Sequence, residues 1–156
     1  MIKLMRVDHR LIHGQVVFSW TSYLDADCIL VASDSVVHDE IRKTTMKLSR
    51  PDGVKLVIKD IDDSAKAINS GKTDRYNLFI VVESIEDAER LSSQCPSIKE
   101  INLGGVKKTD DRRRLSAAVY ANDSEIKLIQ KMLNSGINVE IRQIPSDKLI
   151  KAEKVI

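Results

Sequence analysis

Cysteine is scarce in this chain: there are two, Cys28 and Cys95, far apart in the sequence. A disulfide framework needs more of them together with an export signal. Cys28 falls inside the apolar run Cys28-Ile29-Leu30-Val31-Ala32 and is expected to pack as a small buried hydrophobe. Aromatic residues make up only 4%, too few for the stacking platforms that bind single-stranded nucleic acid. Neither sign of charge dominates. Lys plus Arg number 25 against 23 Asp plus Glu, a formal net charge of +2, without the basic excess of a nucleic-acid binder. No stretch approaches the roughly 20 apolar residues of a membrane span, and Met1 to Arg6 carries neither a long apolar region nor a small-residue cleavage site. A cytoplasmic protein is the expectation. The lysine-bearing nucleotide loop, the Gly-x-Gly-x-x-Gly turn after a strand and the nucleophile elbow are also missing.

What remains is a regular alternation. The 31% charged residues are interleaved with 42% hydrophobic ones, a foldable rather than a disordered composition. Over 156 residues this suits one domain, 1–156, large enough to bury roughly two-thirds of its unfolded surface. Ile2 to Val7 reads as a strand and Gly14 to Leu24 as a helix. Cys28 to Ala32 is a strand covered on both faces. Ser33 or Asp34 can cap a helix running to Leu48, with Val36, Val37, Ile41, Thr44 and Leu48 as its apolar stripe.

After the Pro51-Asp52-Gly53 turn come a strand from Val54 to Ile58 and a helix from Asp60 to Ser70, stopped at Gly71. Leu78 to Val82 is a strand, and Ser84 caps the next helix, which ends before Pro96. Ile98 to Leu103 is a strand broken by Gly104-Gly105, and Leu115 to Tyr120 reads as another. Asn122-Asp123 caps a helix through Asn134, stopped at Gly136. Ile137 to Ile141 is the last predicted strand, followed by a short C-terminal helix. This predicts an α/β fold: a single domain with a mostly parallel sheet of six or seven strands and helices on both faces.

In such sheets ligands bind beyond the carboxyl ends of the strands. The first such loop, Asp8-His9-Arg10-Leu11-Ile12-His13-Gly14-Gln15-Val16, gathers an acid, two imidazoles and a guanidinium immediately before a helix. Three readings fit these residues. The loop can be merely polar and exposed. His9 and His13, four apart, can be two helical metal ligands, although no third is evident. Or a histidine here carries phosphate, with Arg10 as clamp and the helix N-terminus at Gly14 and Gln15 receiving the anion.

Elsewhere, His38 falls in the interior of a predicted helix. Asn102-Leu103-Gly104-Gly105 follows a strand and can form a backbone anion nest. Lys107 to Arg114 is a charge run, either a solvated loop or a docking surface, with Lys107, Lys108 and Arg112 its nearest candidates for partner contact.

The run Arg6-Val7-Asp8-His9-Arg10-Leu11-Ile12-His13-Gly14-Gln15-Val16 resembles the signature of the IIB component of the mannose/fructose/sorbose family of the bacterial phosphoenolpyruvate-dependent sugar phosphotransferase system. Ser33-Asp34, Arg42-Lys43-Thr44, Pro51-x-Gly53-Val54, Asn102-x-Gly104-Gly105 and Gly136-Ile137-x-Val139-Glu140-x-Arg142 follow in the order of that family. The resemblance implies a phosphohistidine intermediate, with His13 as acceptor and Arg10 as its neighbouring arginine. Asp8 is a possible orienting group, and His9 receives no role. It implies a IIA donor protein, IIC/IID membrane acceptors and a sugar substrate, with no cofactor or metal; a homo-oligomer stays open. The alternative is a non-enzymatic phosphate-sensing or small-molecule-binding module on the same fold.

Overall fold

The computed structural model describes all residues, 1–156. Six parallel strands and one antiparallel strand form a single sheet. In chain order the elements are β1 (Ile2–Asp8), α1 (Gly14–Leu24), β2 (Cys28–Ala32), α2 (Glu40–Leu48), β3 (Lys55–Lys59), α3 (Ile61–Asn69), β4 (Leu78–Val82), α4 (Ile85–Gln94), β5 (Glu100–Gly105), β6 (Arg113–Arg114), β7 (Tyr120–Ala121), α5 (Asp123–Asn134), β8 (Asn138–Ile141) and β9 (Ile150–Lys151). The sheet order is β3-β2-β4-β1-β5-β8-β9, with β6 and β7 forming a separate hairpin.

Alternation along the strands divides the core in two. Met5, Val7, Leu30, Ile80 and Leu103 face one side, where Ile68 of α3, Leu91 of α4 and Ile129 of α5 cover them. Leu4, Ile29, Val31, Phe79 and Val81 face the other, under Val17 and Trp20 of α1 and Met46 of α2. The central pair β1 and β4 therefore sends its following helices to opposite faces. That divergence opens a crevice at the carboxyl ends of these strands, the ordinary ligand position in an open α/β sheet.

The expected α/β domain is present, with local corrections. The single helix expected from Ser33 or Asp34 to Leu48 is divided: one 3-10 turn covers Val36–His38, and α2 starts afresh after Asp39. Asp39 caps it by accepting the Arg42 N–H at 3.1 Å, while Ser33 donates to Glu83 and accepts the Val36 N–H of the 3-10 turn at 3.3 Å, and Asp34 accepts the Ile61 N–H. The apolar stripe also differs, for Ile41 and Leu48 are exposed and Met46 is the buried residue. His38 belongs to that 3-10 turn rather than to a helix interior.

Gly104 and Gly105 do not break β5; they are its last two residues. The strand expected at Leu115 to Tyr120 is a hairpin in which Arg114 pairs with Tyr120 and the intervening residues turn. The strand expected from Ile137 ends at Ile141 as β8 but is not the last, because β9 pairs antiparallel with it, and the C-terminal helix is a single 3-10 turn, Ala152–Lys154. Too few residues separate these short pieces for periodicity to distinguish them.

Trp20 is fully buried and fastens α1 to the far end of the sheet, its indole N–H donating to the Gln143 carbonyl at 3.0 Å. The Arg6 and Arg142 guanidiniums lie 5.3 and 5.2 Å from its ring centroid. Trp20→Ala is expected to lower unfolding stability by about 3–5 kcal/mol, measured by urea denaturation.

Candidate active site

β1 ends in a buried charge pair. Arg6 and Asp8, two apart on a strand, project from the same face, and Arg6 donates to Asp8 Oδ2 at 2.9 Å. Each is almost wholly removed from water, so neither charge is affordable without further partners. Arg6 also donates to Asn102 Oδ1 at 2.8 Å and to the Arg142 carbonyl at 3.3 Å, and Asn102 donates to the same carbonyl at 3.0 Å. Asp8 Oδ1 accepts the Arg10 backbone N–H at 3.0 Å. Its Oδ2 lies 2.8 Å from His13 Nε2.

Burial pushes the Asp8 carboxyl up, but the bonds from His13 and the Arg10 N–H, with the Arg6 charge, outweigh it and hold it below the usual carboxylate range. Asp8 is therefore ionised at neutral pH and accepts only, which places the proton on His13 Nε2. In the neutral ring Nδ1 then carries the lone pair, and it makes no hydrogen bond within the protein.

The loop between these residues is shaped by its backbone. Leu11 N–H donates to the Asp8 carbonyl at 2.8 Å, and His9 N–H to the Gly105 carbonyl at 3.0 Å. Leu11 adopts a left-handed φ of 56°, sparsely populated for a branched residue, and is secured because both Leu11 and Ile12 are buried in the smaller core. His13 then becomes the N-cap of α1, in extended conformation and with no side-chain bond to the helix. Asp39, Ser84, Asp60 and Asn122 each cap their own helix with a side chain, and those helices carry acids in the first turn. α1 has neither. Its first N–H groups, from Gly14 and Gln15 onward, are thus free to meet an anion.

The expected site residues are placed as follows. Asp8 and His13 are joined directly. Arg10 is exposed, its guanidinium has no protein partner, and it lines a cleft of about 150 Å³ with Leu11, Ile12, Arg42, Thr45 and Met46. Gly14 and Gln15 are at the uncapped helix start. His9 is half-buried, its Nδ1 buried without a partner, and no three His, Cys, Asp or Glu side chains converge as a metal donor set.

Gly104 and Gly105 have no left-handed backbone and form no anion nest. Their contribution is clearance: a Cβ on Gly104 would fall inside the Arg6 guanidinium, and one on Gly105 would stand 3.0 Å from Asp8 Oδ1. Arg112 is no free docking cation either, since its guanidinium makes two bonds of 2.9 Å to buried Glu125. Lys107 and Lys108 stay exposed.

The sequence places Asn102 only within a candidate anion nest, and Arg6 and Arg142 only within family motifs. A signal was available for Arg6: an arginine between Met5 and Val7 in a buried strand requires an acid on its own face, and Asp8 is there. Across the crevice, Glu83, just after β4, accepts from Ser33 and Ser35 hydroxyls at 2.7 and 2.8 Å and from Arg42 at 3.4 Å. Burial raises the Glu83 carboxyl, but these bonds prevail and hold it below its ordinary value.

An uncapped helix, an unpartnered guanidinium and an oriented imidazole thus lie together at the switch point of a parallel sheet in an α/β domain. Comparison with known proteins makes this specific. The family model for the sorbose-subfamily IIB component of the phosphotransferase system matches residues 2–156. The fructose-specific EIIB component of Bacillus subtilis (strain 168) is 33% identical over 146 residues, spanning 94% of this chain and 90% of that protein. The mannose-specific EIIAB component of Escherichia coli (strain K12) is 30% identical over 155 residues, 99% of this chain and 48% of that longer protein. Among solved structures, manxB from Thermoanaerobacter tengcongensis superposes with a TM-score of 0.93 at 27% identity, covering 99% of this chain and 94% of that one. The IIBSor domain of the sorbose permease from Klebsiella pneumoniae gives 0.91 at 25%, covering 97% and 93%. The chain belongs to the sorbose-subfamily IIB components, which are phosphotransferases of sugar uptake.

Two outcomes are expected from this geometry. Gly104→Ala should displace Arg6 and cost roughly 1–3 kcal/mol of stability, as overpacking does, read by urea unfolding. Asp8→Asn should leave Arg6 without its charge partner and destabilise at neutral pH by about 3 kcal/mol or more. Because the native carboxyl titrates below its unfolded value of roughly 3.9, its contribution is present above that pH and lost on acidification through the native value. The stability gap between wild type and Asp8→Asn should therefore narrow below about pH 4.

Proposed function

We propose that His13 accepts a phosphoryl group on Nδ1 from a phosphohistidine of a IIA protein and passes it to a sugar carried by IIC/IID membrane components. The whole chain, 1–156, acts as one IIB domain, in the cytoplasm against the membrane transporter. The observation that carries this reading is the 2.8 Å bond between His13 Nε2 and buried Asp8. It directs the Nδ1 lone pair outward beside the uncapped start of α1.

In the first step the Nδ1 lone pair forms a bond to phosphorus as the donor's N–P bond breaks. Asp8 keeps the Nε2 proton in place and balances the positive charge that develops on the ring. The free N–H groups at Gly14 and Gln15 and the Arg10 guanidinium face the equatorial oxygens, where charge stabilisation supplies most of the catalysis of phosphoryl transfer. In the second step a sugar hydroxyl oxygen attacks phosphorus, the Nδ1–P bond breaks and the hydroxyl proton is released. Arg10 is suited to follow the group through both steps, since its planar fork can bridge two phosphate oxygens and no protein carboxylate competes for it. The exposed Lys107 and Lys108 are available to steer partner encounter.

Incubation with the donor protein and phosphoenolpyruvate should yield an acid-labile phosphohistidine, and phosphorus NMR should place it on Nδ1. His13→Ala should lose both the label and sugar phosphorylation, while His9→Ala and His38→Ala keep the label. A His13→Ala protein that still transfers phosphate to sugar would overturn the assignment. Arg10→Lys should keep the fold but slow transfer by roughly 10²-fold, by analogy with other single electrostatic donors; unchanged single-turnover rates would remove its role.

A further inference from the structure

A cavity of about 530 Å³ opens along edge strand β3, away from the His13 loop. Cys28, Lys55 and Leu78 on its wall are the first residues of β2, β3 and β4, whereas Asp8 is the last of β1. These strands are parallel, so most of the lining lies at the end of the sheet opposite His13. Lys59 alone reaches the carboxyl end of β3, and β2 and β4 separate that strand from β1. The cavity exists because β3 is an edge strand, paired on one side only. The short helix α3 presents only Ala67 there, too small a side chain to fill the space beside the edge.

The lining has two parts. Leu30, Val57 and Leu78 form an apolar floor. Around it stand Lys55 and Lys59, which alternate with Val57 on the same face of β3, together with Lys72 and Arg75 from the loop before β4. No carboxylate lines the cavity, and none of these four cations takes part in an ion pair. In a chain with a net charge of only +2, four uncompensated cations around one space repel one another. A bound anion would relieve that repulsion.

Part of the arrangement is already organised. Lys55 Nζ and Arg75 donate to the Tyr76 hydroxyl at 3.2 and 2.8 Å. Both cations also lie against its ring, 5.3 and 4.9 Å from the centroid. The Lys55 bond, with help from Arg75, lowers the phenol pKa, and no protein group accepts the Tyr76 proton. That O–H is available to a ligand oxygen.

We propose that this cavity binds a soluble phosphate monoester, a phosphorylated sugar or a compound of similar size. Its phosphate sits among Lys55, Lys59, Lys72 and Arg75, and its carbon body lies on the Leu30-Val57-Leu78 floor. Four nitrogen cations suit a dianion better than a single carboxylate. The volume falls in the range of small-molecule sites and exceeds the need of an inorganic ion. The site is separate from the His13 loop and does not depend on the role proposed for it.

The test is calorimetric titration of the full chain with glucose 6-phosphate, glucose and inorganic phosphate, with ¹⁵N–¹H spectra recorded alongside. Glucose 6-phosphate should bind and shift the amides of Lys55, Lys59 and residues 72–76, leaving those of residues 8–16 in place. Glucose should not bind, and inorganic phosphate should bind more weakly. K59E/K72E should weaken glucose 6-phosphate by about tenfold or more, with its amide spectrum elsewhere unchanged. The proposal fails if glucose 6-phosphate leaves these amides unmoved, if the double variant binds as well as wild type, or if inorganic phosphate binds equally tightly. It fails likewise if vesicles of phosphatidylcholine and phosphatidic acid bind through Lys59 and Lys72 while glucose 6-phosphate does not, since the surface then serves a lipid headgroup.

Discussion

The carboxylate of Asp8 is the point on which the functional end of this molecule is built. It is almost entirely withdrawn from water, a state an isolated anion would abandon by taking up a proton. It stays charged because three donors converge on it: the Arg6 guanidinium, the Arg10 N–H and the His13 ring. Each belongs to a different part of the site. Arg6 connects to Asn102 of β5 and to the backbone after β8. The Arg10 N–H fixes the bend of the loop, and His13 is the group proposed to carry the phosphoryl. A single buried charge thereby couples the register of the strands to the orientation of one imidazole, so the ring needs no separate support.

The surrounding packing protects this arrangement from both sides. Trp20 lies against Arg6 and Arg142, whose charges would otherwise face an empty seam between α1 and the sheet. Arg142 is in turn paired through two bonds, 2.9 and 3.1 Å, to Glu140. The result is a polar layer of Arg6, Asn102, Glu140 and Arg142 beneath a helix that otherwise packs on the apolar core. Such a layer is rigid because each member has little alternative partner. Across the crevice, Glu83 gathers Ser33, Ser35 and Arg42 in a second network. The loop that carries His13 thus stands between two hydrogen-bonded frames, one on β1, β5 and β8 with Arg142, the other after β2 and β4 with Arg42.

Much of this could be read from the residues. Continuous apolar runs such as Leu78 to Val82 and caps such as Ser84 and Asn122 mark strands and helices through local physics, and they appear where expected. The resemblance of residues 6–16 to a IIB signature pointed to the right family. What eluded the sequence depends on contacts between distant segments. Gly104 and Gly105 look like a turn in one dimension, and only the neighbouring strand shows that Arg6 and Asp8 need the volume. Arg112 looks like one more charge in a basic run until α5 brings Glu125 beneath it. Asp39, rather than Ser33 or Asp34, starts α2 because the other two side chains are engaged by Glu83 and by the Ile61 N–H, partners 50 and 27 residues away in the chain.

The missing side-chain cap on α1 has a consequence for the protein as a carrier. Elsewhere in the molecule an Asp, Ser or Asn permanently closes the first turn; at α1 that place is open, and under the proposed assignment the transferred phosphoryl group occupies it. The cargo then completes the helix that holds it, and loaded and unloaded chains differ in the order of that first turn as well as in charge. A donor would meet the looser form and an acceptor the tighter one, so two partners sharing one surface could each recognise the state they are to act upon.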